Sequence, residues 1–208
     1  MTDFAGSSAR ATFQMTSTFT LERVHRRAVL RIDSVDGTNR LHSSLVVEMT
    51  AAVLGLAAKK PCNDLVIAGN DKFFSSGADL NEIAGLNGPA ALEFSKMGQA
   101  LMAAIAEFSA PTFAAISGYC MGGGLDLVLA CRYRIASPNA SFGHRGTALG
   151  LITGWGGTQR LPRLIGKGRA LEMLVAAESI TAEHALRLGL IDAIVEDPIA
   201  EALKRVPR

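Results

Sequence analysis

Cysteine is scarce in this chain of 208 residues: three, at Cys62, Cys120 and Cys131, widely spaced and odd in number. With no CxxC and no Cys/His cluster, nothing points to a metal site. The thiols suit a reducing, cytoplasmic setting better than a disulfide framework. Aromatic residues make up only 6%, with a single tryptophan. Neither sign of charge dominates: 21 Lys and Arg face 19 Asp and Glu, mixed along the chain, for a net +2. That leaves no basic footprint for nucleic acid or for a membrane surface. The GxxxxGKS/T pattern is absent, which excludes a nucleoside-triphosphate P-loop, and no GxGxxG follows the first strand. The N-terminus lacks a basic start followed by an apolar run, so it does not read as a secretory leader. Long apolar runs are missing too, apart from Thr112–Cys131. That run carries only Asp126 as a charge but contains four glycines, Gly118, Gly122, Gly123 and Gly124. A buried strand and helix explain it better than a membrane span.

What remains is ordinary globular composition, 49% apolar, enough for one domain with one good core. Residues 1–17 are expected to be a disordered or weakly held arm, and 18–208 the domain. Alternation predicts strands over Phe19–Val24 and Ala28–Ile32, joined as a hairpin. A helix capped by Ser43 or Ser44 follows. Asp64–Gly69 reads as a buried strand, and Lys72–Leu80 as a loop entering a short helix. Helical spacing of Leu92, Met97, Leu101 and Ile105 predicts a long helix over Pro89–Phe108. Strand Thr112–Ile116, helix Gly122–Ala130 and strand Arg132–Ala136 come next. Ser141–Gly157 is a glycine-rich loop. Helices are expected over Thr158–Ile165, Ala170–Ala177 and Ala182–Leu188, and a last strand within Gly189–Val195. Alternating strands and helices predict an α/β fold with a mainly parallel or mixed sheet.

The stretch Ala114–Asp126 organises the rest. Strand, glycine-rich turn and buried helix together point bare backbone N–H groups at a ligand. A helix's first turn has unpaired donors and a partial positive charge. Such a turn suits a phosphate, or an oxygen that becomes negative during a reaction. A second turn, Ser76-Gly77-Ala78-Asp79, also opens a helix. Two turns offering one N–H each to a common point would make an oxyanion hole. The alternative is that these glycines merely allow tight strand–helix packing.

Four blocks carry a resemblance: FFSSGADLNEI, AAISGYCMGGGLDLVLACRYRIAS, SFGHRGTALGLITGWGGTQRLPRLIG and AESITAEHALRLGLIDAIV. In order and spacing they resemble the signature blocks of the crotonase superfamily, the enoyl-CoA hydratase/isomerase family, from about Phe19 to Val195. The resemblance implies a spiral of repeated ββα units, assembled as trimers or dimers of trimers. It implies acyl-CoA thioesters as substrates, with no cofactor beyond the coenzyme A they carry and no metal. It places the thioester oxygen between the N–H groups of Ala78 and Gly123. It places coenzyme A near Arg40 and Leu41 and along Ser76, Asp79 and Leu80. The acyl group would pass Gly118, Gly122 and the loop around Gly146. Arg40 or Lys72 could meet the phosphates, or be solvated surface charges.

The chain departs from the family pattern at the acid/base pair. Hydratases of the family use two glutamates. Here the first position holds Asp126 and the second holds Gly146, which has no side chain. Asp126 is either the proton-transfer group or a buried structural aspartate. His144, with a suitable ordinary pKa, either replaces the missing group or serves as a hydrogen-bonding strut. His25, His42 and His184 read as surface residues, Cys120 as a small buried hydrophobe. Trp155 is expected to pack the loop, and Tyr119 to border the acyl pocket or join the core. Compared with the family, the C-terminal helical region is expected to be shortened. The function expected is chemistry on an acyl-CoA thioester through an enolate. The alternatives are a non-catalytic acyl-CoA-binding or assembly subunit, and another thioester reaction such as hydrolysis or decarboxylation.

Overall fold

The computed structural model describes residues 10–15, 18–59 and 63–205; Cys62 lies outside them. The chain opens with strands β1 (Arg10–Met15), β2 (Phe19–Val24) and β3 (Arg27–Ile32), then a short β4 (Arg40–Leu41) and helix α1 (Ser43–Ala57). Strand β1 pairs antiparallel with β2. Part of the segment expected as a disordered arm is therefore an edge strand, while residues 1–9 and 16–17 lie outside the described ones. The cap of α1 also differs from expectation. His42, in extended backbone, accepts from Leu45 N–H through Nδ1 at 3.2 Å. An imidazole nitrogen satisfies the orphan amide in place of a serine hydroxyl.

From β5 onward one pattern recurs. A strand enters a large sheet, the next residues enter a small sheet, and a helix covers both. Thus β5 (Asp64–Ala68), β6 (Phe73–Ser75) and β7 (Gly77–Ala78) lead through α2 (Leu80–Ala84) to α3 (Gly88–Ala106). Next, β8 (Thr112–Ile116) and β9 (Tyr119–Met121) lead to α4 (Gly123–Ala130). Then β10 (Tyr133–Ala136) and β11 (Ser141–Gly143) lead through a 3-10 turn (Gly146–Leu149) to α5 (Gly157–Ile165) and α6 (Lys167–Ala176). The described chain finishes with β12 (Ser179–Thr181), α7 (Ala182–Leu188), β13 (Ala193–Ile194) and α8 (Pro198–Lys204). These are the repeated ββα units that the resemblance implies.

The large sheet has the order β1-β2-β3-β5-β8-β10-β13 and the small one β12-β11-β9-β6. Central β8 is parallel to both neighbours, with Phe113 opposite Val66 and Tyr133. Every residue of β8 is buried. A strand covered on both faces reads as a continuous apolar run, which is why Thr112–Ile116 shows no alternation. Its side chains still divide between two faces. Ala114 and Ile116 join Leu65, Ile67 and the helices of the main core. Phe113 and Ala115 join Val29, Val66 and Ile135 on the other face, closed by Ala202 and Leu203 of α8. Full burial of each larger side chain is worth roughly 1.5–3 kcal/mol. Helix α4, buried along its whole length, packs on β6, β7 and β9, with its N-terminus at the rim where β6 and β9 end.

Candidate active site

The two glycine turns meet. Strands β6 and β9 run parallel and side by side, so the turns that leave them lie next to each other. Gly77 has φ 98° and Gly122 φ 51°, conformations that a side chain would strain. They reverse the chain so that Ala78 and Gly123 follow at once. A Cβ built on Gly123 would lie 3.3 Å from Ala78 N, and one built on Gly77 would lie 3.3 Å from Gly123 N. The two amides therefore neighbour one another. The first intrahelical donor of α4 is Asp126, bonding Gly122 O at 3.1 Å. The amide of Gly123 thus belongs to the unpaired first turn, and no side chain caps it. On the other turn, Asp79 N–H bonds Leu41 O at 3.4 Å. Successive amides of extended backbone point in opposite directions, so that of Ala78 points away from β4. Buried Ser75 braces the pair. Its Oγ accepts from Gly77 N–H at 3.1 Å, and Gly124 packs on it with no room for a side chain.

A cavity of about 290 Å³ opens in front of Ala78, Gly122 and Gly123. One wall is Leu80, Ile83, Leu86 and Phe94, and the facing wall is Leu149, Leu151 and Ile152. Leu80, Leu149 and Ile152 are 52%, 60% and 61% exposed, so the rim is apolar as well. His144, Thr153 and Trp155 also border the cavity, and Arg145 and the backbone of Gly146 reach it from the 3-10 turn.

Behind His144 stands Asp126, 2% exposed. Its Oδ2 accepts a short hydrogen bond from the Thr153 hydroxyl. Its Oδ1 lies 3.2 Å from His144 Nε2. That separation suits an ion pair, although the ring N–H does not point straight at the oxygen, and neither atom has another hydrogen-bond partner. Gly157, the first residue of α5, roofs the pair. A Cβ there would overlap Asp126 Oδ1 and come within 2.9 Å of His144 Nε2. The imidazole, 5% exposed, borders the cavity, and the carboxylate does not. Asp126 therefore does not face the cavity, as its place one turn after Gly123 would suggest; it faces the group that does.

The family profile described as enoyl-CoA hydratase/isomerase matches residues 26–205. The chain belongs to the enoyl-CoA hydratase/isomerase family. A crotonyl-CoA hydratase of Syntrophomonas wolfei is 38% identical over 177 residues, covering 85% of this chain and 68% of that protein. A short-chain-enoyl-CoA hydratase of Clostridium acetobutylicum is 34% identical over 177 residues, with the same shares of 85% and 68%. Among solved structures, DspI of Pseudomonas aeruginosa superposes with a TM-score of 0.87 at 34% identity, over 92% of this chain and 74% of that one. An enoyl-CoA hydratase of Bacillus anthracis superposes at 0.85 and 32% identity, over 90% and 74%. The crotonase fold expected from the four sequence blocks is thus the fold observed.

The residues singled out for this family divide into three groups. Ser76, Ala78, Leu80, Gly122, Gly123, His144 and Gly146 gather around the cavity. A Cβ at Gly146 would stand 3.1 Å from Leu151 O, so the turn is drawn tight around the missing side chain. Arg40, Leu41 and Asp79 form the ledge beside it. Leu41 is wholly buried, while Asp79 caps α2 through Asn81 N–H at 2.8 Å and sits 3.7 Å from Arg40. Arg40 also pairs with Asp36 at 3.1 Å and faces a separate depression with His42 and Val35. Gly118 and Tyr119 stand apart. Gly118 packs so closely on the backbone of Lys72 that a Cβ would overlap it, and it does not border the cavity. Tyr119 is 52% exposed against Phe73, in neither pocket nor core. Cys120 is buried, as expected, and burial, followed by the charge of Asp126, pushes its thiol well up. His25 and His184 are exposed. Thr153 and Gly157 escape sequence reasoning altogether, because a loop threonine 27 residues from Asp126 carries no periodic signal. Among the described residues, no cluster of His, Cys, Asp and Glu could hold a metal, and no helix is long and apolar enough to cross a membrane.

Proposed function

We propose that this chain hydrates a 2-enoyl-CoA thioester, holding the thioester oxygen with the N–H groups of Ala78 and Gly123 and moving protons with His144. The observation that carries the reading is the adjacency of those two amides beside an apolar cavity whose wall bears a buried imidazole. Polarising the thioester carbonyl makes the β-carbon electrophilic. Water adds there and gives a proton to His144, the charge passes to the enolate oxygen, and a proton returns to the α-carbon. Each oxyanion donor in comparable sites is worth about 2.7–4 kcal/mol of transition-state stabilisation. Asp126 is a positioning residue: its Oδ1, 3.2 Å from Nε2, balances the charge formed on the imidazole. This acid–base chemistry calls for no metal or redox group, only the coenzyme A of the substrate.

The assembly that fits the family is a homotrimer or a dimer of trimers. Leu171 and Val175, 63% and 66% exposed and one turn apart on α6, would gain from such cover. Buried free thiols at Cys120 and Cys131 suit a cytoplasmic setting. The test is purified protein with crotonyl-CoA, following loss of the conjugated enoyl-thioester absorbance. His144→Ala should cut the rate by about 10²–10⁴, the usual range for a general acid–base group. A variant as fast as the native protein would remove His144 from the mechanism.

A second reading draws on the same imidazole–carboxylate pair. Water directed at the carbonyl carbon, instead of the β-carbon, would hydrolyse the thioester. Release of free thiol without formation of a hydroxyacyl-CoA would establish that reaction. Acyl-CoA binding with neither product would leave a binding subunit.

A further inference from the structure

The chain's single tryptophan sits where the cavity meets the oxyanion turn. Trp155 is 2% exposed and borders the cavity. Its ring lies between α3 and α4, in space that only two glycines leave open. A Cβ on Gly98 would overlap the indole, and one on Gly123 would fall 2.5 Å from its Cζ3. The ring is fixed in place. Nε1 donates to Phe94 O at 3.2 Å, and the Phe94 ring packs on it with centroids 5.3 Å apart. The preceding residue is tied to α3, because Gly154 O accepts from Ser95 Oγ at 2.8 Å and from Gln99 Nε2 at 2.7 Å. Arg160 Nη1 holds Trp155 O at 3.2 Å.

We propose that Trp155 is a specificity-determining residue: its indole is the fixed wall that limits how long an acyl chain the cavity accepts. The proposal rests on the reading of the cavity as an acyl-CoA site. Its logic is that the indole packs against Gly123 itself, whose amide would hold the thioester oxygen. The wall therefore stands at a set distance from the carbonyl, whatever the flexible rim does. Removing the indole would extend the cavity, because neither Gly98 nor Gly123 has a side chain to refill the space.

The experiment uses the 208-residue chain and straight-chain acyl-CoA esters of about four to twelve carbons. The saturated esters, which cannot react, are titrated by calorimetry and by intrinsic fluorescence. With one tryptophan in the chain, emission reports directly on a ligand lying against the indole. The 2-enoyl esters supply kcat/KM at each length. Trp155→Phe and Trp155→Leu are the variants, with far-UV circular dichroism to confirm folding. Native protein should show an emission change that grows with chain length and then stops, together with a fall in affinity beyond that length. Each additional methylene seated in a variant should improve binding about fourfold, so two should give about tenfold to twentyfold. The ratio of long-chain to four-carbon kcat/KM should rise by the same factor. A merely structural tryptophan would lower all chain lengths alike.

An unchanged chain-length profile in a folded variant would overturn the proposal. So would native emission indifferent to esters that calorimetry shows to bind, and this arm needs no variant. Binding without hydration would refute the hydratase reading alone, and the calorimetric profile would still decide the role of Trp155. No binding at any length would end both.

Discussion

Replacing Asp126 with asparagine separates two roles that burial alone does not. The substitution keeps the shape and removes the charge. The Thr153 hydroxyl can still donate to the side-chain oxygen. The amide NH₂ then occupies the place of Oδ1, 3.2 Å from His144 Nε2. Two N–H groups cannot share that contact, so the imidazole must accept at Nε2 and carry its proton on Nδ1. The tautomer is reversed, and the positive ring formed during proton transfer loses its counter-charge. At 3.2 Å and an effective dielectric of about 20, that attraction is about 5 kcal/mol. Part of it is spent on desolvating the carboxylate. A surviving half to four-fifths corresponds to a loss of about 10²–10³ in kcat. KM should move by less than about threefold, because Asp126 does not touch the substrate space. Stability should stay level or rise, since a neutral amide costs less to bury than a carboxylate. Steady-state kinetics with crotonyl-CoA and urea unfolding measure both. Native-like kcat would refute the coupling of Asp126 to His144. A loss of stability of about 3 kcal/mol or more would show that the carboxylate is there to hold the fold.

Two further outcomes follow from ionisable groups outside the site. Asp36 is held at about 2, chiefly by hydrogen bonds from Ser34 and Thr38. A carboxyl lowered from 3.8 adds stability above its unfolded value and loses it as pH falls toward about 2. The Asp36 side chain is 50% exposed, so solvent screening keeps that contribution to about 1 kcal/mol at most. The difference in unfolding free energy between native and Asp36→Ala protein should shrink as pH falls through this window. A difference independent of pH would remove the charge from the explanation. Burial raises the Cys131 thiol to about 12 and Cys120 well above its ordinary value. Both should resist maleimide in native protein at pH 8 and react once urea unfolds it, as read by peptide mass spectrometry. Fast labelling of either in the native state would show that the core around α4 opens.

How legible each element was depended on its length and on where its partners lie. Strand β8 was read with its observed bounds, Thr112–Ile116, because a short apolar, β-compatible run lies between Pro111 and the Ser117-Gly118 turn. Helix α7 was equally clear, starting at the cap Thr181 and ending at Gly189. The strands β6, β9, β11 and β12 were missed, although the first three fall in segments marked as loops or turns. Each has three residues, too few for any periodicity. They exist because neighbouring strands supply their hydrogen bonds, parallel among β6, β9 and β11 and antiparallel between β11 and β12. Helix α8 was also missed, and it closes the second face of the large sheet.

The ordered motif blocks and their spacing were enough to establish the α/β class, the repeated unit, the family and the two glycine turns that precede Ala78 and Gly123. These are local: a glycine that permits a reversal and a helix start that leaves its first amide unpaired are written in adjacent residues. Which side chains face the cavity was settled only by packing between repeats. Asp126 lies three residues beyond Gly123, yet Gly157 and His144, brought over from the next repeat, close it off from the cavity. Trp155 fills a gap made by glycines on two other helices. A chain can specify each of these residues one at a time. These contacts join residues far apart in the chain and arise only when the two sheets bring successive repeats into register.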